Sequence, residues 1–581
     1  MNKFIVLLLL CSAQLGFSQT AEQQLQSLMD GYWNYRLQEN PTLATGAGIS
    51  DFNHLLPQVS PVDQARRLRS EEEFLAQLRQ VDRDELNRDD QINFDLLGWV
   101  LERSIDGLRL NTYRIPFNTF SGFFTGALRA SYGVPMNTEE DYRDYIARIE
   151  EFPRYFSENI ENMRQGIREG FVLPKIVIDG VLPTVQAQVY DNPDQSSLAE
   201  PILDVNERLP GNVRADIVEE TRAAIRSYAI PAFRQLVTFL EDEYYPAAAD
   251  SIAASDLENG EEFYAHQIRV YTTRTDLSAA QIHQIGLAEV ARIRAEMDEV
   301  IAQSGFDGSF EDFTEFLRTD PQFYTNSEEG LLKEAAFVAK KIDYLMPEFF
   351  GTLPRLSYGV VPVPDEIAPN YTTASYNPAP IGGIRGGAYW VNTFALDQRP
   401  LYELPALTAH EAVPGHHHQN AIAREIEGLP AFRKQLYFSA MGEGWGLYSE
   451  KLGIEMGIYN NAYEHFGRLS YEMWRACRLV IDTGIHSQGW SRQQALDYLS
   501  SNTSLSTANV RAEVDRYISW PAQALSYKLG EMKIIELRQR AEQALGNRFD
   551  IREFHDVLLG QGALPLDLLE GVIDHYIETN I

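Results

Sequence analysis

The sequence predicts a mainly α-helical protein carrying one small β-sheet, and three observations lead there. Apolar residues recur at helical spacing through long stretches of the chain, as Ile92, Leu96, Val100 and Ile105 do between residues 89 and 108. Runs with strand character are confined to 374–376 and 388–393. Both lie inside segment 349–399, whose density of Pro and Gly sets it apart from the helical text around it.

The bulk numbers narrow the class. A chain of 581 residues with 44% hydrophobic and 23% charged residues is ordinary for a globular protein. Fifty Lys and Arg against 83 Asp and Glu give a net charge of −33. That balance argues against nucleic acid as a partner, because phosphate binding needs clustered cations. Residues 1–18 read as a signal peptide: Lys3, an apolar run over 4–10, and Gly16-Phe17-Ser18 with small residues before a cleavage point at Gln19. A secreted or periplasmic protein is expected. Cys11 follows leucine rather than the small residue of a lipoprotein signal, so lipidation there is the less favoured reading. With the leader removed only Cys477 remains, which leaves no intrachain disulfide. No apolar run is long enough for a transmembrane segment.

Taken in order, 21–37, 62–81 and 89–108 read as helices. Segment 111–136 sets Phe117, Phe120, Phe123 and Phe124 among turn residues and reads as a buried connector in preference to a substrate-contacting loop. Thr138-Glu139-Glu140 opens a capped, acid-rich helix expected to run as one long helix to 169. Further amphipathic helices follow at 212–240 and 278–304, with kinks or ends at Pro153, Pro231 and Pro246. Residues 261–273 fit a short strand or a helix, and the single histidines His266 and His283 read as structural. No clear linker appears. A cut near 260–275 gives an N-terminal helical lobe, 19–265, and a C-terminal lobe, 266–581, holding the sheet and the functional helices.

The strand at 388–393 contains Tyr389, taken as a substrate contact. The short strands before the histidine-bearing helix read equally as an edge that binds an extended peptide through backbone hydrogen bonds or as a hairpin closed by a glycine-permitted turn. Helices resume at 432–453, 462–485, 491–500, 508–520, 522–544 and 565–577, with Pro565 at the first position of the last.

The chemistry concentrates in 408–421, where four of the eleven histidines fall within nine residues. Neutral imidazole is the commonest zinc ligand in proteins, and His410-Glu411 resembles the opening of the helical H-E-x-x-H zinc motif, in which the glutamate acts as base. Pro414 stands where the second histidine of that motif belongs. An undistorted helix would separate His410 from His417 by about 10 Å along its axis. Pro414-Gly415 supplies a distortion, since proline lacks an N–H and clashes with the carbonyl four residues back. If two residues loop out, His416 takes the second ligand position, with His417 the alternative. Glu443, in Gly442-Glu443-Gly444-Trp445-Gly446, follows 27 residues later and completes the three protein ligands of a catalytic zinc site. Glu450, seven residues on and on the same helix face, is placed to receive the other N–H of a ligand imidazole. The three glycines point to close packing rather than a solvated face.

These residues resemble the gluzincin peptidases, among them thimet-type oligopeptidases and Taq-type carboxypeptidases. The text HExxPGHHxQ followed by GEGWGLYSE looks like the bacterial domain-of-unknown-function family 885. The resemblance covers most of the mature chain. It implies a large, two-lobed helical peptidase-like fold with the active site in a deep channel, a zinc ion, Glu411 as base and a peptide substrate. The two extra residues before the second histidine depart from the gluzincin pattern.

Amide hydrolysis also needs a donor aimed at the developing oxyanion. A tyrosine or histidine downstream of the ligands has that role in the similar peptidases, so Tyr527 is the first candidate and His486 the second. Arg475, Arg478 and Lys528 are candidates for holding a substrate carboxylate. The expectation is therefore a secreted zinc metallopeptidase with His410, His416 and Glu443 as ligands. The alternatives are an exported, non-catalytic metal- or peptide-binding protein, and a zinc hydrolase of a non-peptide amide or ester.

Overall fold

A computed structural model of the chain describes residues 19–365, 367–379 and 385–581. The expected leader, with Cys11, lies outside the described residues. The protein is mainly helical with one three-stranded sheet. Among the described residues no helix is long and apolar enough to cross a membrane.

Two large apolar cores organise the helices. One joins the first helices, Ala21–Glu39, Pro61–Leu78 and Arg88–Arg109, to the last ones, Ser526–Leu545, Ile551–Leu559 and Leu566–Asn580, through residues such as Leu25, Leu96, Ile534 and Leu569. The Arg88 guanidinium donates to the Gly571 carbonyl at 2.8 Å across that closure. The other core joins the segment from Phe117 to Ala248 to Ala279–Ser304, Ala462–Gln488 and Thr507–Ser519. Each core draws on residues from both sides of 265.

Local chemistry explains most element ends. Thr138 caps its helix in a capping box with Asp141, as the T-E-E text suggests. The helix does not run unbroken to 169. It stops at Glu150 and a second helix, Phe152–Glu169, begins with Pro153 in its first turn, where the missing N–H costs nothing. Residues 261–273 resolve as helix Gly260–Thr272. The predicted helix over 432–453 also divides, into a 3₁₀ turn, Ala431–Gln435, and helix Ser439–Glu455, with non-helical residues 436–438 between them.

The sheet has the order β1–β3–β2, with β1 Tyr358–Pro362, β2 Ala374–Asn377 and β3 Gly387–Val391. β1 runs parallel to β3, and β2 is antiparallel to it with Tyr376 opposite Tyr389. The bond from Asn392 N–H to the Thr373 carbonyl, 3.0 Å, sets the phase of the antiparallel ladder. Residues 374 and 376 therefore turn their backbone groups away from β3, toward the outer edge. β1 was not among the predicted strands, because Pro362 and Pro364 made its text read as loop.

Candidate metal centre

Helix Leu404–Glu411 carries His410 and Glu411 and ends there, as Ala412 leaves helical geometry (φ −97°, ψ −109°). The chain turns through Pro414-Gly415 and a new helix, His416–Glu425, begins at His416. The Trp445 indole N–H donates to the Pro414 carbonyl at 2.8 Å, and the His417 N–H to the Ala412 carbonyl at 3.0 Å, which hold the turn. Trp445 is fully buried. At about 25 cal/mol/Å² over the ~150–250 Å² an aromatic side chain buries, its burial contributes about 4–6 kcal/mol. The result is the looped-out geometry expected from Pro414-Gly415: the His410 and His416 rings stand 4.7 Å apart at 90°.

Glu443 faces both from helix Ser439–Glu455. Its Oε2 lies 3.6 Å from His410 Nε2 and 3.5 Å from His416 Nε2, and one donor atom from each of the three residues falls within 4.8 Å of the others. A tetrahedral ion with bonds near 2.0–2.1 Å has edges of about 3.4 Å. The donor set, two imidazoles and one carboxylate, thus fits a zinc-sized ion with a fourth position left over.

The His410 ring is fixed from behind. Its Nδ1 is 2.8 Å from Glu450 Oε1, deep in the fold, which directs Nε2 toward Glu443 and His416. Arg475 stands beyond, 3.8 Å from the same carboxylate oxygen. Burial would lower the pKa of His410, but the Glu443 and Glu450 carboxylates override it and raise it to about 10. Burial would raise that of Glu443, but His410 and His416 hold it well below the usual carboxylate range. Both shifts express one property: the surroundings stabilise positive charge between these side chains.

The glycines of GEGWG have separate contacts. A Cβ on Gly446 would meet three atoms of the His410 ring at 2.6–2.9 Å, one on Gly444 would meet the Gly530 backbone at 2.5 Å, and one on Gly442 would meet the Tyr437 ring and hydroxyl from 2.6 Å. Gly446 seats the imidazole, Gly444 lets helix Ser526–Leu545 pack close, and Gly442 makes room for Tyr437.

Glu411 lies beside the cluster with its Oε2 accepting from the Tyr376 backbone N–H on the outer edge of β2, at 2.8 Å. The sheet thus orients the carboxylate.

Sequence reasoning missed Tyr437. It occupies the break between the 3₁₀ turn and helix Ser439–Glu455, and its hydroxyl donates to Glu443 Oε1 at 3.2 Å. The residue is 59% exposed. Lost hydration around its hydroxyl, then the charge of Glu443 and the neighbouring Tyr527, push the phenol well above its usual pKa. The helical periodicity of the surrounding text hid this break. Tyr527 is nearly buried, and Arg516 donates to its oxygen at 3.4 Å. Its own O–H is committed to no acceptor among the described residues.

Other expected site residues are used elsewhere. His417 is buried, with Nδ1 3.1 Å from the Tyr376 hydroxyl, and burial lowers its pKa to about 4; it faces the sheet and is not a member of the cluster. His486 spends both ring nitrogens on backbone groups, the Tyr517 carbonyl at 2.9 Å and the Ala254 N–H at 3.1 Å. It cannot also stabilise an oxyanion. Lys528 is buried among Glu289, Glu472 and Glu531 at 2.5–3.0 Å, and Arg478 among Glu513 and the Tyr517 hydroxyl at 2.8–3.1 Å. Both neutralise internal acids rather than reach a substrate carboxylate. Arg475 backs Glu450 instead. Tyr389 is fully buried with its hydroxyl 3.3 Å from Thr408, so it fastens β3 to the histidine helix and touches no substrate.

The chain belongs to the bacterial family described as "Bacterial protein of unknown function (DUF885)", whose pattern matches residues 41–573. A comparison with curated proteins gives no match. Among solved structures, the chain resembles a protein of Colwellia psychrerythraea provisionally designated a lipoprotein. The identity is 28% and the TM-score 0.91, covering 97% of this chain and 100% of that one. A protein of Shewanella oneidensis, provisionally designated a lipoprotein of unknown function, shares the fold at a TM-score of 0.73 and 18% identity, covering 95% of this chain and 99% of that one.

Proposed function

We propose that this protein is an exported zinc-dependent hydrolase that cleaves peptide bonds. One observation carries the reading: the nitrogens of His410 and His416 and an oxygen of Glu443 converge within 4.8 Å of one another, the oxygen 3.6 and 3.5 Å from the two nitrogens, while Glu411 is held beside them. Bound by those three residues, zinc would supply the Lewis acidity that makes water nucleophilic near neutral pH. Glu411 keeps Oε2 on the Tyr376 N–H, and its Oε1, without a partner among the described residues, takes a proton from the attacking water and passes it to the leaving amine. Tyr527, whose O–H has no acceptor among the described residues, is the hydroxyl donor for the oxyanion, while the Tyr437 hydroxyl donates to the Glu443 carboxylate. The outward-facing backbone of 374 and the Tyr376 carbonyl support an extended peptide as substrate, the Tyr376 N–H being held by Glu411. Export is supported by the pattern of residues 1–18 and by the lipoprotein designation of the relatives. The two-lobed shape and active-site channel belong to the same proposal.

The test is metal analysis joined to a peptide-library digest. Chelator-stripped protein should lose hydrolysis and regain it with zinc. Glu411→Gln should keep the metal and lose about 10²–10⁴-fold in rate. Full activity in that variant would sink the assignment.

A further inference from the structure

A cavity of about 640 Å³ opens between the aromatic segment after Gly107, helix Gly260–Thr272 and the Trp520-Pro521 turn. The chemistry proposed above uses none of these elements. The volume lies within the ~300–1,000 Å³ of small-molecule sites, room for about twenty waters at ~30 Å³ each.

Its rim is built. Asn118 Oδ1 accepts from the N–H groups of Phe120 and Ser121, both at 2.7 Å, and Thr119 is tied to the Ser519 hydroxyl at 2.8 Å and 3.2 Å. These bonds hold the loop against the start of the Trp520 turn. They leave Phe120 68% exposed yet stacked on Trp520, with centroids 6.1 Å apart and planes at 27°. The Trp520 indole N–H donates to the Tyr271 hydroxyl at 2.5 Å, and the Tyr271 ring meets Trp520 edge-on at 84°, so Tyr271 and Trp520 line the cavity with Phe120 stacked on Trp520 beside it.

The interior carries no free charge. Arg103, the charged residue of the lining, is 3.0 Å from Asp106. His266 is 3% exposed, its Nδ1 has no partner among the described residues, and burial lowers its pKa to about 4, so the ring is neutral at neutral pH. Gly107 leaves the space that ring occupies, since a Cβ there would come 3.3 Å from Nε2. An uncharged occupant is favoured, because a charged one would lose its hydration without gaining a counter-ion.

The aromatic rings at the rim are joined to the metal centre through one arginine. The Arg516 guanidinium lies 5.8 Å from the rings of Phe120 and Trp520 and donates to the Tyr527 hydroxyl. Tyr527, the neighbour of Tyr437, and Trp520 thus lie on two sides of one arginine.

We propose that this cavity is a remote subsite that binds a bulky, uncharged aromatic or apolar side chain of the peptide substrate. The proposal rests on the peptidase reading and specifies its substrate. The test uses the full zinc-loaded protein and peptides of constant sequence in which one position at a time carries Phe or Ala. Phe should be preferred over Ala at one fixed distance from the cut. Phe120→Ala, an exposed change that does not threaten folding, should shrink that kcat/KM ratio roughly two- to tenfold, as expected for one aromatic pair. Trp520→Leu should shrink it further. No favoured position, or an unchanged ratio in Phe120→Ala, would overturn the subsite while leaving the peptidase reading intact. If no peptide is cut, that reading fails, and calorimetric titration of the Phe and Ala peptides decides the subsite alone. Equal affinities, or the same ratio in the parent and in Phe120→Ala, would overturn it.

Discussion

Replacing Gly446 by alanine places one methyl group directly against the His410 imidazole. The new Cβ would stand 2.6 Å from Cε1, 2.7 Å from Nε2 and 2.9 Å from Nδ1. Non-bonded carbons settle at about 3.5–4.0 Å, so the ring must retreat by roughly 1 Å. It cannot do so without lengthening the 2.8 Å contact to Glu450 or turning Nε2 away from Glu443. The helix itself should tolerate the change, since alanine is favoured over glycine in a helix interior by about 0.5–1 kcal/mol. The damage therefore falls on the site. Loss of an orienting partner costs about 10–100-fold in metal affinity, and a ~1 Å misplacement costs about 10²-fold in rate. The assay is zinc per chain after dialysis against graded chelator, read beside kcat/KM on the best library peptide and circular dichroism of the metal-free protein. If Gly446→Ala holds zinc as tightly as the parent and turns over as fast, Gly446 is not the seat of a ligand.

The remaining expectations are shorter. His416→Ala should abolish stoichiometric zinc binding, whereas His417→Ala should retain it, and the reverse pattern would reassign the second ligand. Lys528→Met should destabilise the fold by about 3–5 kcal/mol in denaturant unfolding, because it strands the buried Glu531, while Glu472 keeps Arg468 and Arg292. Simple loss of affinity for substrate with unchanged stability would contradict that structural role. Asp482 is fully buried, and burial, partly offset by the Tyr264 hydroxyl and the Ala522 N–H, raises its pKa from 3.8 to about 7. Folding thus favours its protonated form: the contribution is complete below pH ~4 and is lost as pH rises through about 7. At ~1.36 kcal/mol per unit this amounts to up to about 4 kcal/mol. Asp482→Asn should flatten the stability profile between pH 4 and 7 relative to the parent, and parallel profiles would refute the assignment.

Much of the site was legible because its signals are local. Pro414-Gly415 between histidines states a broken helix, since proline cannot donate its N–H to the turn before it, and the structure ends one helix at Glu411 and starts the next at His416. Three glycines in five residues state close approach, and each proves to have a different neighbour. The helical elements were legible for the same reason, through periodicity and caps, and Pro153 marked the break at 151, while the break at 436–438 was not legible. Tyr437 was missed because residues on both sides keep a helical pattern and only packing shows that the helix stops there.

Charged and polar side chains were the hardest to place. Lys528, Arg478 and His486 have the residue types of a binding site, yet what each touches depends on other helices, more than thirty residues away for Arg478 and more than two hundred for Lys528 and His486. Examples are Glu289 from helix Ala279–Ser304 for Lys528 and Ala254 for His486. Composition determined the acidic, helical character of this chain, and short-range spacing determined that His410, His416 and Glu443 could meet. Tertiary structure alone decided which cations are consumed by buried acids, which tyrosine faces Glu443, and that the first helices close against the last. Periodicity and turn chemistry act over a few residues and are written in the text. Desolvation and ion pairing depend on which distant surfaces are pressed together, and that is settled only when the chain folds.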